Sequence, residues 1–271
     1  MRTLIDADIV GYRIGFTTQD VDEGIAVWRC KELLTSILLE TNADEYQLWL
    51  SDTTENNFRT RIYPEYKANR TQPKPKHLDM LKMYMVTDWE ARIAHEMEAD
   101  DALGIEQKKE SLDGTWFEGH HNTIIASIDK DLLQVPGLHY NFVKKEFNEI
   151  TPIEGIRNFY TQVLSGDAAD NVKGCPKIGA VKSLQALLGK GTEQQMFDRV
   201  REIYLEQHKK YQPDWSEEQV MDYLLMTGRV LKIKQSEDEK LWNFPSEDKL
   251  LQSERQRVPE ESSKDASGNI S

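Results

Sequence analysis

The sequence predicts an α/β fold, with a central, mainly parallel sheet flanked by helices, on three observations. Residues 2–6 (RTLID), 45–52 (EYQLWLSD) and 123–129 (TIIASID) are short apolar runs rich in β-branched and aromatic side chains, the pattern of buried strands. Between the first two, residues 28–41 (WRCKELLTSILLET) repeat apolar side chains at Leu33, Leu34, Ile37 and Leu38, which is helical spacing. Strand, helix, strand gives parallel pairing in an α/β domain.

Beyond residue 150 the pattern turns helical. Thr151 and Glu154 have capping-box spacing ahead of a helix over 154–165. Further helices are expected at 194–209 and 217–231, the second opened by Ser216 with Gln219. The expected organisation is an α/β core over 1–150, a helical region over 151–235, and a polar tail over 236–271 that is disordered after Pro259. No internal repeat is evident. No apolar run approaches the ~20 residues of a membrane span, and the amino-terminal MRTLIDADIV meets an acid too early for a secretory signal. Cys30 and Cys175 stand far apart, against a disulfide framework or zinc site. The expected setting is the cytoplasm, with no membrane partner. The pair His120-His121 lies in a polar, Gly-containing stretch and reads as loop.

All three strands end on an aspartate: Asp6, Asp52 and Asp129. Ligands of open parallel sheets bind beyond the carboxyl ends of the strands, so these carboxylates are expected to converge on one edge. Asp8 follows Asp6, and three more clusters stand out: Glu98-Ala99-Asp100-Asp101, Asp129-Lys130-Asp131 and Asp167-Ala168-Ala169-Asp170. Taken singly, each has an ordinary alternative: helix starts for EADD and DAAD, where acids meet the dipole, and a solvated turn for DKD. Glu98 with Asp101, and Asp167 with Asp170, have the i, i+3 spacing that puts two carboxylates on one helix face. Oxygen-only donors suit Mg²⁺ or Mn²⁺ rather than zinc.

Residues 58–76 (FRTRIYPEYKANRTQPKPK) carry six bases, Arg59, Arg61, Lys67, Arg70, Lys74 and Lys76, against the single acid Glu65. Tyr63 and Tyr66 interleave with them. Bases neutralise phosphates and aromatics stack on unpaired bases, so the strip reads as a single-strand nucleic-acid contact; the alternative is a solvated loop stiffened by Pro64, Pro73 and Pro75. The net charge of −13 would repel nucleic acid if it were spread evenly. Setting aside nine candidate metal-binding acids, and a tail with nine acids and five bases, leaves a neutral remainder.

These residues resemble the 5′ nucleases: flap endonucleases, the 5′-nuclease domain of bacterial DNA polymerase I, and bacteriophage 5′–3′ exonucleases. The resemblance covers roughly residues 1–235 through LIDAD, the strand-end Ser51-Asp52, FRTRIYPEYKANR, EADD, SIDKDLLQ and SGDAADNVKGCPKIG, in that order. It implies a divalent-metal-dependent nuclease acting on DNA with 5′ ends, flaps or single-strand/duplex junctions, and extends to RNA in RNA–DNA hybrids and to a monomer. Asp6, Asp52, Glu98, Asp100 and Asp101 match the family's first metal group, and Asp129, Asp131, Asp167 and Asp170 the acids of a second ion. Arg59, Lys67 and Arg70 match catalytic bases of a helical arch, spanning about 58–90 here, with Arg61, Tyr63, Tyr66, Lys74 and Lys76 as further DNA contacts. GCPKIGAVKS (174–183), within about 165–190, matches a helix–three-turn–helix element, where Gly174 and Gly179 allow tight turns, backbone amides meet duplex phosphates at helix N-termini, Lys177 and Lys182 add charge nearby as DNA contacts, and carbonyls can hold K⁺. Cys175 departs from the aliphatic residue common in relatives. Two rival readings are a single-strand ribonuclease of related fold and a catalytically silent junction binder; the second would need the strip and hairpin without a full acid set.

Overall fold

The computed structural model describes residues 1–109 and 121–245; His120 and the expected disordered tail beyond Pro259 lie outside that range. β1 (Arg2–Asp6) leads directly into α1 (Ala7–Thr17), then α2 (Glu23–Glu40) and β2 (Glu45–Leu50). α3 (Phe58–Ile62), α4 (Leu78–Asp88) and β3 (Arg92–Ile93) follow, then α5 (Ala99–Lys109), β4 (Thr123–Ala126), a 3-10 turn (Asp131–Gln134), β5 (Gly137–Asn141) and β6 (Glu146–Ile150).

The six strands are ordered β3-β2-β1-β4-β5-β6, and every pairing is parallel except β5 with β6. The chain fills one side of β1 with β2 and β3, then returns to place β4 on the other. That reversal makes the carboxyl end of β1, where Asp6 stands, a topological switch point. Both faces of β1 are covered, which is why Leu4 and Ile5 are apolar in succession. Ile5 packs with Val10, Leu34 and Leu48 on one face. Leu4 packs with Leu103 of α5, Ile125 and Leu132 on the other.

The helical half comprises α6 (Pro152–Ser165), the short hairpin β7 (Gly166–Asp167) and β8 (Val172–Lys173), α7 (Ala180–Leu187), α8 (Glu193–Tyr211) and α9 (Glu217–Leu231). Both expected capping boxes form: Thr151 with Glu154, and Ser216 with Gln219. Phe159, Val163, Val200, Tyr204 and Leu224 build its core, joined by Tyr66 from the basic strip.

Three boundaries differ from the sequence reading. α2 begins at Glu23, ahead of residue 28, and its first turn already buries Ala26; Gly24 and the adjacent Ile25, Ala26 and Val27 show no helical apolar period there. The basic segment is not one helical arch: α3 ends at Ile62, turns occupy 64–69, and helix resumes only at Leu78. Pro64, Pro73 and Pro75 lack the amide a continuous helix needs. Residues 236–245 are not a detached tail either. Trp242 and Phe244 pack against the helical core, with the Trp242 ring 5.4 Å from that of Phe159. A Cβ at Gly228 would stand 2.3 Å from the Trp242 ring, so a glycine is required there.

Candidate active site

A cavity of about 480 Å³ opens at the carboxyl ends of the parallel strands. Asp6, Asp52, Glu98, Asp100 and Asp129 line it, with Lys67, Arg70 and Lys74. Asp6 is both the last residue of β1 and the cap of α1: one oxygen accepts the Ile9 amide at 3.1 Å, the other the Ser127 hydroxyl at 2.7 Å. The Ser127 oxygen in turn accepts the Asp129 amide at 3.0 Å, and Asp129 accepts that of Asp131 at 2.8 Å. Asp52 accepts the amides of Thr53 at 2.7 Å and Glu96 at 2.9 Å. These bonds hold its carboxyl below its usual range.

The rest of the ring is strained by burial first and by its own charge second. Burial, then the field of Asp8, pushes the Asp6 carboxyl up to about 7. Desolvation, then Asp6, Asp129 and Glu98, raises Asp100 well above the carboxylate range. Desolvation also raises Asp129, with Asp170 and Asp167 adding to it. Glu98 is the exception. Burial pulls it upward, but Lys67 and Arg59 outweigh burial and hold it low.

The second group lies beside this ring. Asp167 and Asp170 are not on a helix: they sit at the β7–β8 turn, where one Asp167 oxygen accepts the Ala169 amide at 2.7 Å. Asp131 shares a side-chain hydrogen bond with Asp167, and desolvation together with Asp129 lifts its carboxyl to about 8. Asp131 Oδ1 is buried and accepts from no donor.

The basic strip is docked onto this turn. The Lys67 amide donates to the Asp170 carbonyl at 2.9 Å, and Asn171 reaches back to the Glu65 carbonyl at 2.8 Å. The Lys67 ammonium contacts Glu98 and lies 3.7 Å from Asp170, while Arg70 donates to Asp170 at 2.6 Å. Lys74 and Lys76 are exposed, Arg61 pairs with Glu96 at 3.2 Å, and Tyr63 bonds Glu65 at 3.0 Å.

Three expected site residues are elsewhere. Asp101 and Arg59 are buried against each other, with one guanidinium nitrogen 2.9 Å from Asp101 Oδ1. Arg59 also donates to the carbonyls of Val230 at 2.8 Å and Lys232 at 3.0 Å. Asp101 is therefore a partner of Arg59 and not a cavity ligand, and Arg59 joins α3 to the end of α9 instead of reaching a phosphate. Tyr66 is 3% exposed, so its ring cannot stack on a nucleic-acid base.

At the hairpin, Gly174 is required: a Cβ there would meet the Gly166 amide at 2.3 Å and the Leu164 carbonyl at 2.5 Å. Gly179 has open space around it and ordinary φ, so no tight turn depends on it. Lys177 and Lys182 are both exposed, with the Lys182 ammonium 3.2 Å from the Lys177 carbonyl. The cavity also contains residues outside the predicted set. Asp8 receives the Lys82 ammonium at 2.6 Å and the Ser51 amide at 2.7 Å, fixing α1, α4 and the β2 end together. Asp8 was visible as the second acid of DAD; Lys82 carries no local signal, because it lies beyond the strip on a separate helix.

Among the described residues, no three acidic, histidine or cysteine side chains form a ready-made cation cage. The donor set still fits hard divalent cations. It is all carboxylate oxygen, its members repel one another, and Asp131 keeps an oxygen with no protein partner. Both cysteines are free and buried, and no helix among the described residues is long and apolar enough to cross a membrane.

The chain is similar to known proteins. The chain is 27% identical over 225 residues to a 5′-3′ exonuclease of Buchnera aphidicola subsp. Schizaphis graminum, covering 74% of this chain and 72% of that protein. It is 28% identical over 232 residues to DNA polymerase I of Bacillus caldotenax, covering 76% of this chain but only 25% of the polymerase. Among solved structures, T5 5′-exonuclease with bound divalent zinc ions superposes with a TM-score of 0.58 at 16% identity, covering 84% of this chain and 89% of that one. The bacteriophage T5 D15 flap endonuclease, in a pseudo-enzyme-product complex with DNA and metal ions, gives 0.57 at 16% identity, covering 84% and 88%. These last two show a shared fold. Residues 2–162 match the model of the 5′-3′ exonuclease N-terminal resolvase-like domain, and with that match over more than half its length, the chain belongs to the 5′–3′ exonuclease family.

Proposed function

We propose that this chain hydrolyses phosphodiester bonds near the 5′ ends of DNA, at flaps or single-strand/duplex junctions, with at least two Mg²⁺ or Mn²⁺ ions. The observation that carries this reading is the ring of Asp6, Asp52, Glu98, Asp100 and Asp129 facing Lys67, Arg70 and Lys74 across one cavity. Asp6, Asp52, Glu98 and Asp100 would hold one ion, and Asp129, Asp131, Asp167 and Asp170 the other, some through water. When bound, such ions activate a water and neutralise the phosphate. The residues supply the rest. Lys67 is one step from the acids and can exchange its contact with Glu98 for a phosphate oxygen, offsetting charge that develops in the transition state. Arg70 and Lys74 orient the strand, and exposed Lys177 and Lys182 grip duplex phosphates beyond the hairpin, where its carbonyls would take K⁺. RNA in hybrids, a monomer and a cytoplasmic setting belong to the same reading.

The test is digestion of a 5′-labelled flap substrate with Mg²⁺ and with EDTA. Short 5′ products with Mg²⁺ and none with EDTA are expected; sustained cleavage in excess EDTA sinks the metal mechanism.

A further inference from the structure

Tyr66 is buried, yet its hydroxyl is committed to the acids. Its ring belongs to the core of the helical half, beside Phe159, Val172 and Leu187. Its phenol oxygen lies 2.8 Å from Glu98 Oε2 and 2.7 Å from Asp170 Oδ2. Glu98 begins the EADD element on the α/β half, and Asp170 stands at the β7–β8 turn of the helical half. One rigidly held atom thus bridges the two groups of carboxylates. The two oxygens can be no further apart than those two bonds allow.

We propose that the Tyr66 hydroxyl is a positioning group that couples the two sets of carboxylates and so sets their joint affinity for divalent cations. The proposal rests on the metal-dependent reading above. The phenol has one proton, which the two carboxylates share; a tyrosine locked in a hydrophobic core keeps both acids within reach of it, because its ring cannot move without opening that core. A hydrogen bond behind a ligating carboxylate orients it and tunes its hold on the metal. Lys67, next in the chain, contacts the same two acids but through a mobile ammonium. The division of labour follows: Tyr66 holds the pair in place while Lys67 is free to leave for a phosphate.

The experiment is calorimetric titration of the full chain, without DNA, with Mn²⁺. Tyr66→Phe keeps the ring and removes the oxygen, and should weaken uptake by roughly 10- to 100-fold, as for other groups behind metal ligands. Tyr223→Phe removes a phenol that donates to the Lys173 carbonyl at 2.6 Å and to none of the acids and should titrate like the wild type. Tyr66→Leu is the second arm. Equal weakening in both Tyr66 variants assigns the effect to the hydroxyl; weakening in Tyr66→Leu alone assigns it to core packing and overturns the proposal. A Tyr66→Phe isotherm that superimposes on the wild type overturns the positioning role and leaves the nuclease reading intact. A wild-type chain that takes up no Mn²⁺ overturns both.

Discussion

Arg59 and Asp101 form a two-pronged ion pair sealed from solvent, 3% and 0% exposed, at the foot of the basic strip. Removing one partner leaves the other charged and buried. Arg59→Ala should therefore destabilise the fold by about 3–5 kcal/mol, read as a lower urea midpoint with unchanged slope. Arg59→Met with Asp101→Leu should recover much of that loss. A variant of normal stability that cuts poorly would return Arg59 to the phosphate.

Lys67→Ala separates chemistry from binding. Losing one electrostatic donor to the transition state costs roughly 10²–10³ in rate. Single-turnover cleavage should fall by that much while DNA affinity in Ca²⁺ holds. A loss explained wholly by affinity would make Lys67 a simple phosphate contact.

Stability without metal should depend on pH in a defined direction. Asp6 and Asp131 are raised, to about 7 and about 8, from 3.8. The folded state therefore binds protons that the unfolded state has already lost. Stability is greatest at the low end of that window and falls as pH rises through the folded values. The melting temperature of EDTA-treated protein should drop between about pH 5 and pH 8, and Mg²⁺ at the upper end should restore it by binding the folded state. A melting temperature that climbs over the same range contradicts the charge strain assigned to the ring. Asp52, Glu98 and Asp167 are held low, so their stabilisation is lost only in stronger acid.

The two hairpin glycines should behave differently. Gly174→Ala drives a methyl into the backbone of Gly166 and Leu164 and should lower the melting temperature by several degrees, on the order of 1–3 kcal/mol for an overpacked site. Gly179→Ala meets open space and should melt like the wild type.

On the duplex side, Lys182→Ala should reduce the salt dependence of DNA binding by about one unit of slope, the share of a single phosphate contact. An unchanged slope removes Lys182 from the interface.

Three of the six strands and most of the acid ring were legible because β1, β2 and β4 carry apolar runs that stop at or just before an aspartate, whereas β3 is two residues long and β5 and β6 are largely polar. Asp6 is the last residue of β1; Asp52 and Asp129 follow within a few residues of β2 and β4. Asp100 and Asp101 could not be separated that way. Successive residues of a helix point about 100° apart, and nothing local says which of the two faces the cavity and which faces Arg59. Tyr66 misled for a related reason. A tyrosine among lysines and arginines looks exposed, and only the distant helices that enclose it reveal otherwise. The contacts of Lys82 with Asp8, and of Trp242 with Gly228, join segments far apart in the chain, so no window of sequence contains them.

The placement of β1 between β2 and β4 has a consequence for how the protein comes to life. Asp6, Asp52, Asp129 and Asp170 approach one another only after strands distant in sequence have paired and the helical half has closed on them. Such non-local pairing is the slow part of folding, since the chain gives up loop entropy before contacts reward it. The acid ring is thus among the last features to assemble as the chain folds.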